Sequence, residues 1–186
     1  MAKRYEQIEP RHREFIERQH VFFTATAARD GRVNLSPKGL DALRVIDEHT
    51  VVYLDRTGSG NETAAHLLAS GRMTIMLCAF DGPPTILRLY GTGVVHPRGS
   101  GRYNAFLAEA FAGVEPAGAR QIVELRVELV QTSCGYGVPL FGYEGERSAL
   151  DHWAVSKTEA ELYDYRATNN AVSLDGLPTG LVGRLA

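Results

Sequence analysis

At 186 residues the chain has the size of a single domain, and its 44% hydrophobic content can fill a sizeable core. A net charge of −2, with both signs mixed along the sequence, gives no sign of a basic nucleic-acid surface, and no apolar run reaches the length of a membrane span. Two cysteines, Cys78 and Cys134, make no disulfide framework, and Met-Ala-Lys-Arg-Tyr-Glu-Gln lacks an apolar leader, so a reduced, cytoplasmic compartment is expected.

Residues Glu9 to Gln19 read as a short helix with Pro10 in its first turn. The β-branched and aromatic run His20 to Ala28 reads as a strand. Arg29-Asp30-Gly31 turns the chain into a returning strand, Arg32 to Ser36. Pro37 cannot sit in a central ladder, so that strand ends or lies at an edge there. Leu43 to Ile46 and Thr50 to Asp55 form a second strand pair. A helix follows over Gly60 to Ser70, with Ala64, Leu67 and Leu68 expected on one face. Arg72 to Phe80 alternates little and reads as a strand buried on both faces. Thr85 to His96 is a long strand in which Gly91 and Gly93 suggest a bend or bulge.

Tyr103 to Phe111 is expected to be helical. In Ile122 to Gln131, Val123, Leu125, Val127 and Leu129 alternate with Glu124, Arg126 and Glu128, which predicts one core face and one that is wet or meets another subunit. Ser133 to Pro139 is an irregular loop, Arg147 to about Asn170 is helical and charged, and Asp175 to Leu181 is too rich in turn residues for a helix. Many strands with a few helices predict a mainly β protein, a barrel with helical additions. We divide the single domain, 1–186, into a core over 15–132 and a C-terminal extension over 133–186.

Chemistry concentrates where strands end and a helix begins. The first N–H groups of a helix lack partners inside it and carry partial positive charge, which suits an anion. Ser59 and Glu62 have capping-box spacing, which places the helix start near Gly60. Arg56 offers a forked charge and Lys38 a point charge from a neighbouring strand. The same residues also fit an ordinary capped helix with Arg56 as a solvated charge. A Walker-type loop is excluded, since Gly60 is followed by Asn61 and Glu62, and no GxGxxG supports a Rossmann site.

The order Phe-Phe-Thr-Ala-Thr, Asp-Gly-Arg-Val-Asn-Leu-Ser-Pro-Lys-Gly, Val-Tyr-Leu-Asp-Arg, Gly-Asn-Glu-Thr-Ala-Ala-His-Leu and Leu-Tyr-Gly-Thr-Gly-Val-Val resembles the pyridoxamine 5′-phosphate oxidase-like, FMN-binding split-barrel family. The resemblance covers roughly Phe15 to Val130. It implies a six-stranded antiparallel split β-barrel and a homodimer with two flavin sites at the subunit interface. Carried onto this chain, it implies that FMN phosphate is held by Lys38, Arg56, Ser59, Asn61 and Thr63. The backbone of Leu54 and Asp55 would lie along the ring system, with Ser36 and Pro37 on the paired strand.

Two departures bear on substrate. The true oxidases carry a Lys where this chain has Gly60-Asn61-Glu62-Thr63, and they end in an Arg- and His-containing motif that Gly-Arg-Leu-Ala does not reproduce. The expectation is therefore an FMN-dependent oxidoreductase of unknown substrate. The alternatives are a deazaflavin F420 or haem protein on the same fold, or a flavin-binding sensor or storage protein without turnover. Hydride transfer needs no Ser-His-Asp set, so no catalytic residue is assigned. The six histidines show no metal-ligand spacing. His66 reads first as a packing or solvated residue, and Trp153 and Tyr163 as core residues or as a cover over a flavin edge. Cys134 reads as a buried cysteine or a redox partner, Cys78 as core, and Arg166 or Arg184 as a further phosphate contact from the tail.

Overall fold

A computed structural model describes residues 2–181. Among them are eight strands and five helices. All seven strand-like runs of the sequence appear: β2 (Phe22–Thr26), β3 (Asn34–Lys38), β4 (Leu43–Asp47), β5 (Thr50–Arg56), β6 (Arg72–Cys78), β7 (Ile86–Pro97) and β8 (Ala119–Ser133). With a short charged strand, β1 (Lys3–Tyr5), the sheet has eight strands against the six that the resemblance implies. The helices are α1 (Pro10–Glu17), α2 (Glu62–Ser70), α3 (Gly101–Ala110), α4 (Ala149–Val155) and α5 (Glu159–Asn169). The last two divide what the sequence reads as one helical region. None of the described helices is long and apolar enough to cross a membrane.

The sheet runs in the order β3-β2-β6-β7-β8-β5-β4, with β1 added to the far end of β8, and every pairing is antiparallel. β3 and β4 are thus its two edges, although a short turn, Gly39–Ala42, joins them. The split of the barrel lies there. Pro37 sits within β3 rather than after it, and the edge position makes that possible.

Alternation sorts side chains into two cores. Val51 and Tyr53 of β5 point inward with Ile75, Leu87, Leu89, Val123 and Leu125. Val52 and Leu54 point outward and are covered by Tyr103 and Phe106 of α3 together with Ile122. β5 is therefore buried on both faces, whereas β6 alternates more than its sequence suggests. The wet face expected of β8 is confined to Arg126 and Glu128; Glu124 is buried, with its carboxylate 2.7 Å from His96 Nε2 and 3.2 Å from Arg126 Nε.

The predicted irregularity in β7 lies between Tyr90 and Gly91, which oppose Leu129 and Val127 and leave Glu128 unpaired. A Cβ at Gly91 would lie 1.9 Å from the Arg126 carbonyl oxygen, so this close approach requires glycine. Beyond the bulge the inward side shifts, and Val130 rather than Leu129 is fully buried.

On α2, Leu67 and Ala64 pack inward with Ala65 and His66, but Leu68 is half-exposed, contrary to the expected face. His66 is a packing residue whose Nδ1 lies 3.2 Å from Thr26 Oγ1.

Candidate functional site

The ends of β3 and β5, the loop 57–61, the start of α2 and the Gly39–Ala42 turn enclose a cleft of about 790 Å³. Ser36, Pro37, Lys38, Leu54, Asp55, Arg56, Ser59, Asn61 and Thr63 all line it. The nine residues that the resemblance assigns to the flavin therefore all fall on one cavity. Leu40, Leu54, Phe111, Val114 and Leu150 supply apolar wall. The size and mixed lining are those of a small-molecule or cofactor site.

The helix start differs from expectation. Asn61, not Ser59, is the N-cap residue, and Glu62 opens α2. Asn61 makes no side-chain capping bond, because its Oδ1 accepts from Gln121 Nε2 at 2.8 Å. The Glu62 carboxylate accepts the Leu174 N–H at 3.0 and 3.1 Å, which ties the C-terminal tail to the helix start. Ser59 is left exposed on the loop.

Beneath the cleft lies a charged cluster that the sequence reading did not assemble. The buried Asp55 carboxylate accepts from Arg120 Nε at 2.7 Å, Gln121 Nε2 at 2.8 Å and Lys38 Nζ at 3.1 Å. Burial pushes this carboxyl upward, but the charges of Arg120 and Lys38 outweigh it and hold the pKa at about 2. Lys38 is thus a tie across the barrel split, from edge strand β3 to β5, rather than a free point charge. The Leu54 N–H is likewise engaged, donating to the Ala42 carbonyl at 3.1 Å. Ser36 donates to Asn34 Oδ1, and Asn34 donates to Thr63 Oγ1 at 3.1 Å, so these hydroxyls form one chain along the cleft wall.

Arg56 is also held in place. Its Nε donates to the Ala117 carbonyl at 2.9 Å, and its Nη1 meets Asp151 of α4 at 2.6 Å. Its Nη2 is buried and has no partner among the described residues, and the same is true of Asn61 Nδ2. Two buried, unsatisfied donors on one cleft are costly unless something accepts from them. Gly58, between them in sequence, has open space where a side chain would stand. These features fit an anionic group.

Backbone strain gathers here too. Leu40, Asp41 and Ala112 are the non-glycine residues with positive φ among those described, at 58°, 51° and 53°, and all three line the cleft.

Other candidates fall elsewhere. Cys134 is exposed rather than buried, and neither cysteine lines the cleft. Trp153 packs edge-on against Tyr165, and Tyr163 is partly exposed; the extension presents Leu150 to the cleft instead. Arg166 donates to Thr57 Oγ1 at 2.8 Å, behind the loop rather than into the cleft, and Arg184 lies outside the described residues. The sequence reading missed Arg120, Gln121, Asn170 and Asp151, which come from the start of β8 and from the extension. Extending β8 three residues toward its N-terminus would have brought Arg120 and Gln121 opposite the end of β5.

Residues 8–134 match the Pyridoxamine 5′-phosphate oxidase family. A pyridoxamine 5′-phosphate oxidase family protein of Aspergillus flavus is 38% identical over 191 residues, spanning 94% of this chain and 76% of that protein. Among solved structures, HupZ of Group A Streptococcus superposes with a TM-score of 0.52 at 19% identity, covering 65% of this chain and 91% of that one. A putative pyridoxamine 5′-phosphate oxidase of Lactobacillus delbrueckii subsp. gives 0.53 at 20% identity, covering 68% and 94%. The structural likenesses concern the fold; the family match and the Aspergillus relative concern descent. With its antiparallel split-barrel sheet and these matches, the chain belongs to the pyridoxamine 5′-phosphate oxidase family.

Proposed function

We propose that the protein is an FMN-dependent oxidoreductase that works as a homodimer, with the cofactor phosphate held by Arg56 and Asn61. The observation that carries this reading is the pair of buried, unpartnered donors, Arg56 Nη2 and Asn61 Nδ2, on the cleft at a strand–helix junction. The amides of Gly58, Ser59 and Gly60 donate to no described residue either, so the loop offers further N–H groups to an anion. Family membership supports a flavin, and the apolar wall of Leu40, Leu54, Phe111 and Leu150 suits a ring system.

A bound flavin supplies the hydride-accepting chemistry. The chain's own part is to hold and orient. Asp151 and the Ala117 carbonyl fix the Arg56 guanidinium, Gln121 fixes the Asn61 amide, and α4 and α3 keep water from the apolar wall. No described histidine lines the cleft, which argues against haem there, since its iron would find no imidazole. Val33 and Leu35, beside and on edge strand β3, are 72% and 64% exposed, and support a partner subunit at that edge.

The test compares FMN with riboflavin, which lacks the phosphate. FMN should bind more tightly to the parent, and Arg56→Ala should weaken FMN about ten- to a hundredfold while leaving riboflavin affinity nearly unchanged, as loss of a charge-assisted contact implies. Equal affinity of the parent for the two flavins would sink the assignment.

A further inference from the structure

The loop that carries the proposed anion site is held from behind by the C-terminal extension, which lies beyond the stretch that matches the family. Three side chains make the connection. Arg166 of α5 donates from Nε to Thr57 Oγ1 at 2.8 Å and from Nη2 to the Ala119 carbonyl at 3.1 Å. Thr57 in turn donates from its hydroxyl to the Gly118 carbonyl at 2.9 Å and from its N–H to the same oxygen at 2.7 Å. Asn170, fully buried just after α5, donates from Nδ2 to the Gly58 carbonyl at 3.0 Å and accepts from Arg120 Nη1 at 2.8 Å. Asp151 of α4 fixes Arg56.

The consequence is directional. Gly58 has a carbonyl that points back to Asn170, so the peptide that follows it turns its N–H the other way, away from the extension. Anchoring Gly58 by its carbonyl therefore turns the Ser59 N–H away from the extension, while the Thr57 N–H is spent on the Gly118 carbonyl. Removing Asn170 would free the Gly58 carbonyl and uncouple Arg120, a cation at the base of the cleft, from its neutral partner, while breaking no hydrogen bond to Arg56 or Asn61.

We propose that Arg166 and Asn170 are positioning residues for the anion loop, and that docking of α5 and binding of a phosphate group at Arg56 and Asn61 favour each other. The proposal rests on the phosphate site put forward above. Coupling of this kind is reciprocal: whatever the extension adds to phosphate affinity, phosphate adds to the docking of the extension. The contacts span the joint between core and extension, so an extension that loosens lets the loop relax and its donors scatter.

Two measurements test this on the full-length protein. The first is hydrogen exchange of residues 159–170 with no ligand, with inorganic phosphate, with riboflavin and with FMN. Phosphate and FMN should slow exchange in this segment, and riboflavin should not. The second is flavin affinity of Asn170→Ala and Arg166→Ala, with Arg166→Lys as the conservative variant. Both alanine variants should lose about tenfold in FMN affinity with riboflavin affinity within about twofold of the parent, and the lysine variant should recover part of the loss, since a cation remains opposite Thr57. Exchange that is the same in all four conditions would overturn the proposal even if the variants fail to fold. Equal loss for FMN and riboflavin would overturn it as well, because a merely structural role lowers both. Protection by inorganic phosphate in a parent that binds no FMN would keep the coupling and remove the cofactor assignment.

Discussion

Asp55→Asn is the most informative single change. The carboxamide keeps the shape of the side chain and removes its charge, so no cavity complicates the result. Asp55 and Arg120 are 5% and 4% exposed, and after the substitution Arg120 keeps only the neutral Asn170 Oδ1 and a carboxamide oxygen. Breaking a buried pair by removing one partner costs about 3–5 kcal/mol, because the remaining charge is stranded. Against a total of roughly 5–15 kcal/mol for a domain, that is a large fraction. Lys38 has a side chain 27% exposed, so water screens its half of the cluster, and Lys38→Met should cost only about 1 kcal/mol.

The pH dependence gives a second reading. The folded protein lowers the Asp55 pKa from 3.8 to about 2. The stabilisation this represents, about 2 kcal/mol, is present above the unfolded-state value and is lost as the pH falls from about 4 toward 2. Asp55→Asn lacks this titration, so the stability gap between parent and variant should narrow as the pH is lowered from 5 to 3. Urea unfolding of parent, Asp55→Asn and Lys38→Met, at one protein concentration and several pH values, measures all of this. A cost for Asp55→Asn below about 1 kcal/mol, or equal to that of Lys38→Met, or a gap independent of pH, would refute the picture of Asp55 as the charge that neutralises Arg120.

Other outcomes follow from separate features. Gly91→Ala places a Cβ against a backbone oxygen in the middle of the sheet, and should lower stability by more than the roughly 1–3 kcal/mol of ordinary overpacking, read as a fall in the urea midpoint. In the native protein one thiol should react quickly with a thiol reagent and two after denaturation, since Cys134 is exposed and Cys78 is buried with its pKa pushed up by burial. Pyridoxamine 5′-phosphate should not be turned over at an ordinary enzymic rate of about 1 per second by the FMN-loaded protein, measured as oxygen-dependent pyridoxal phosphate formation. Its phosphate needs a second anion site, and the cleft cations Lys38, Arg44 and Arg120 are already paired with Asp55 or Asp41.

The strands were legible because hydrophobic alternation and turn residues are local signals. Val123, Leu125 and Val127 declare the core face of β8 in their spacing alone. The failures come where a long-range partner overrides the local pattern. Glu124 reads as wet, but His96 and Arg126 meet it from neighbouring positions and allow its burial. Ser59 has the spacing of a capping residue, but Gln121, sixty positions beyond Asn61, takes up the Asn61 side chain while the helix begins after it. The nine cleft residues were placed by resemblance and by the strand–helix junction. Arg120 and Asn170 were not, because neither lies within a motif; they meet Asp55 and Gly58 only once β8 pairs with β5 and α5 docks.

Pro37 lies in an edge strand one residue before the lysine that crosses the barrel split. A proline offers no N–H to an incoming strand. A neighbouring chain can lay hydrogen bonds against this edge beside Val33 and Leu35, where apolar side chains also invite it. It then meets a missing donor at residue 37. The ladder is weakened at that rung, next to Lys38 and the turn 39–42, which border the cleft. One imino acid thus removes a donor from an open sheet edge beside the mouth of the cavity, which disfavours edge-to-edge pairing there.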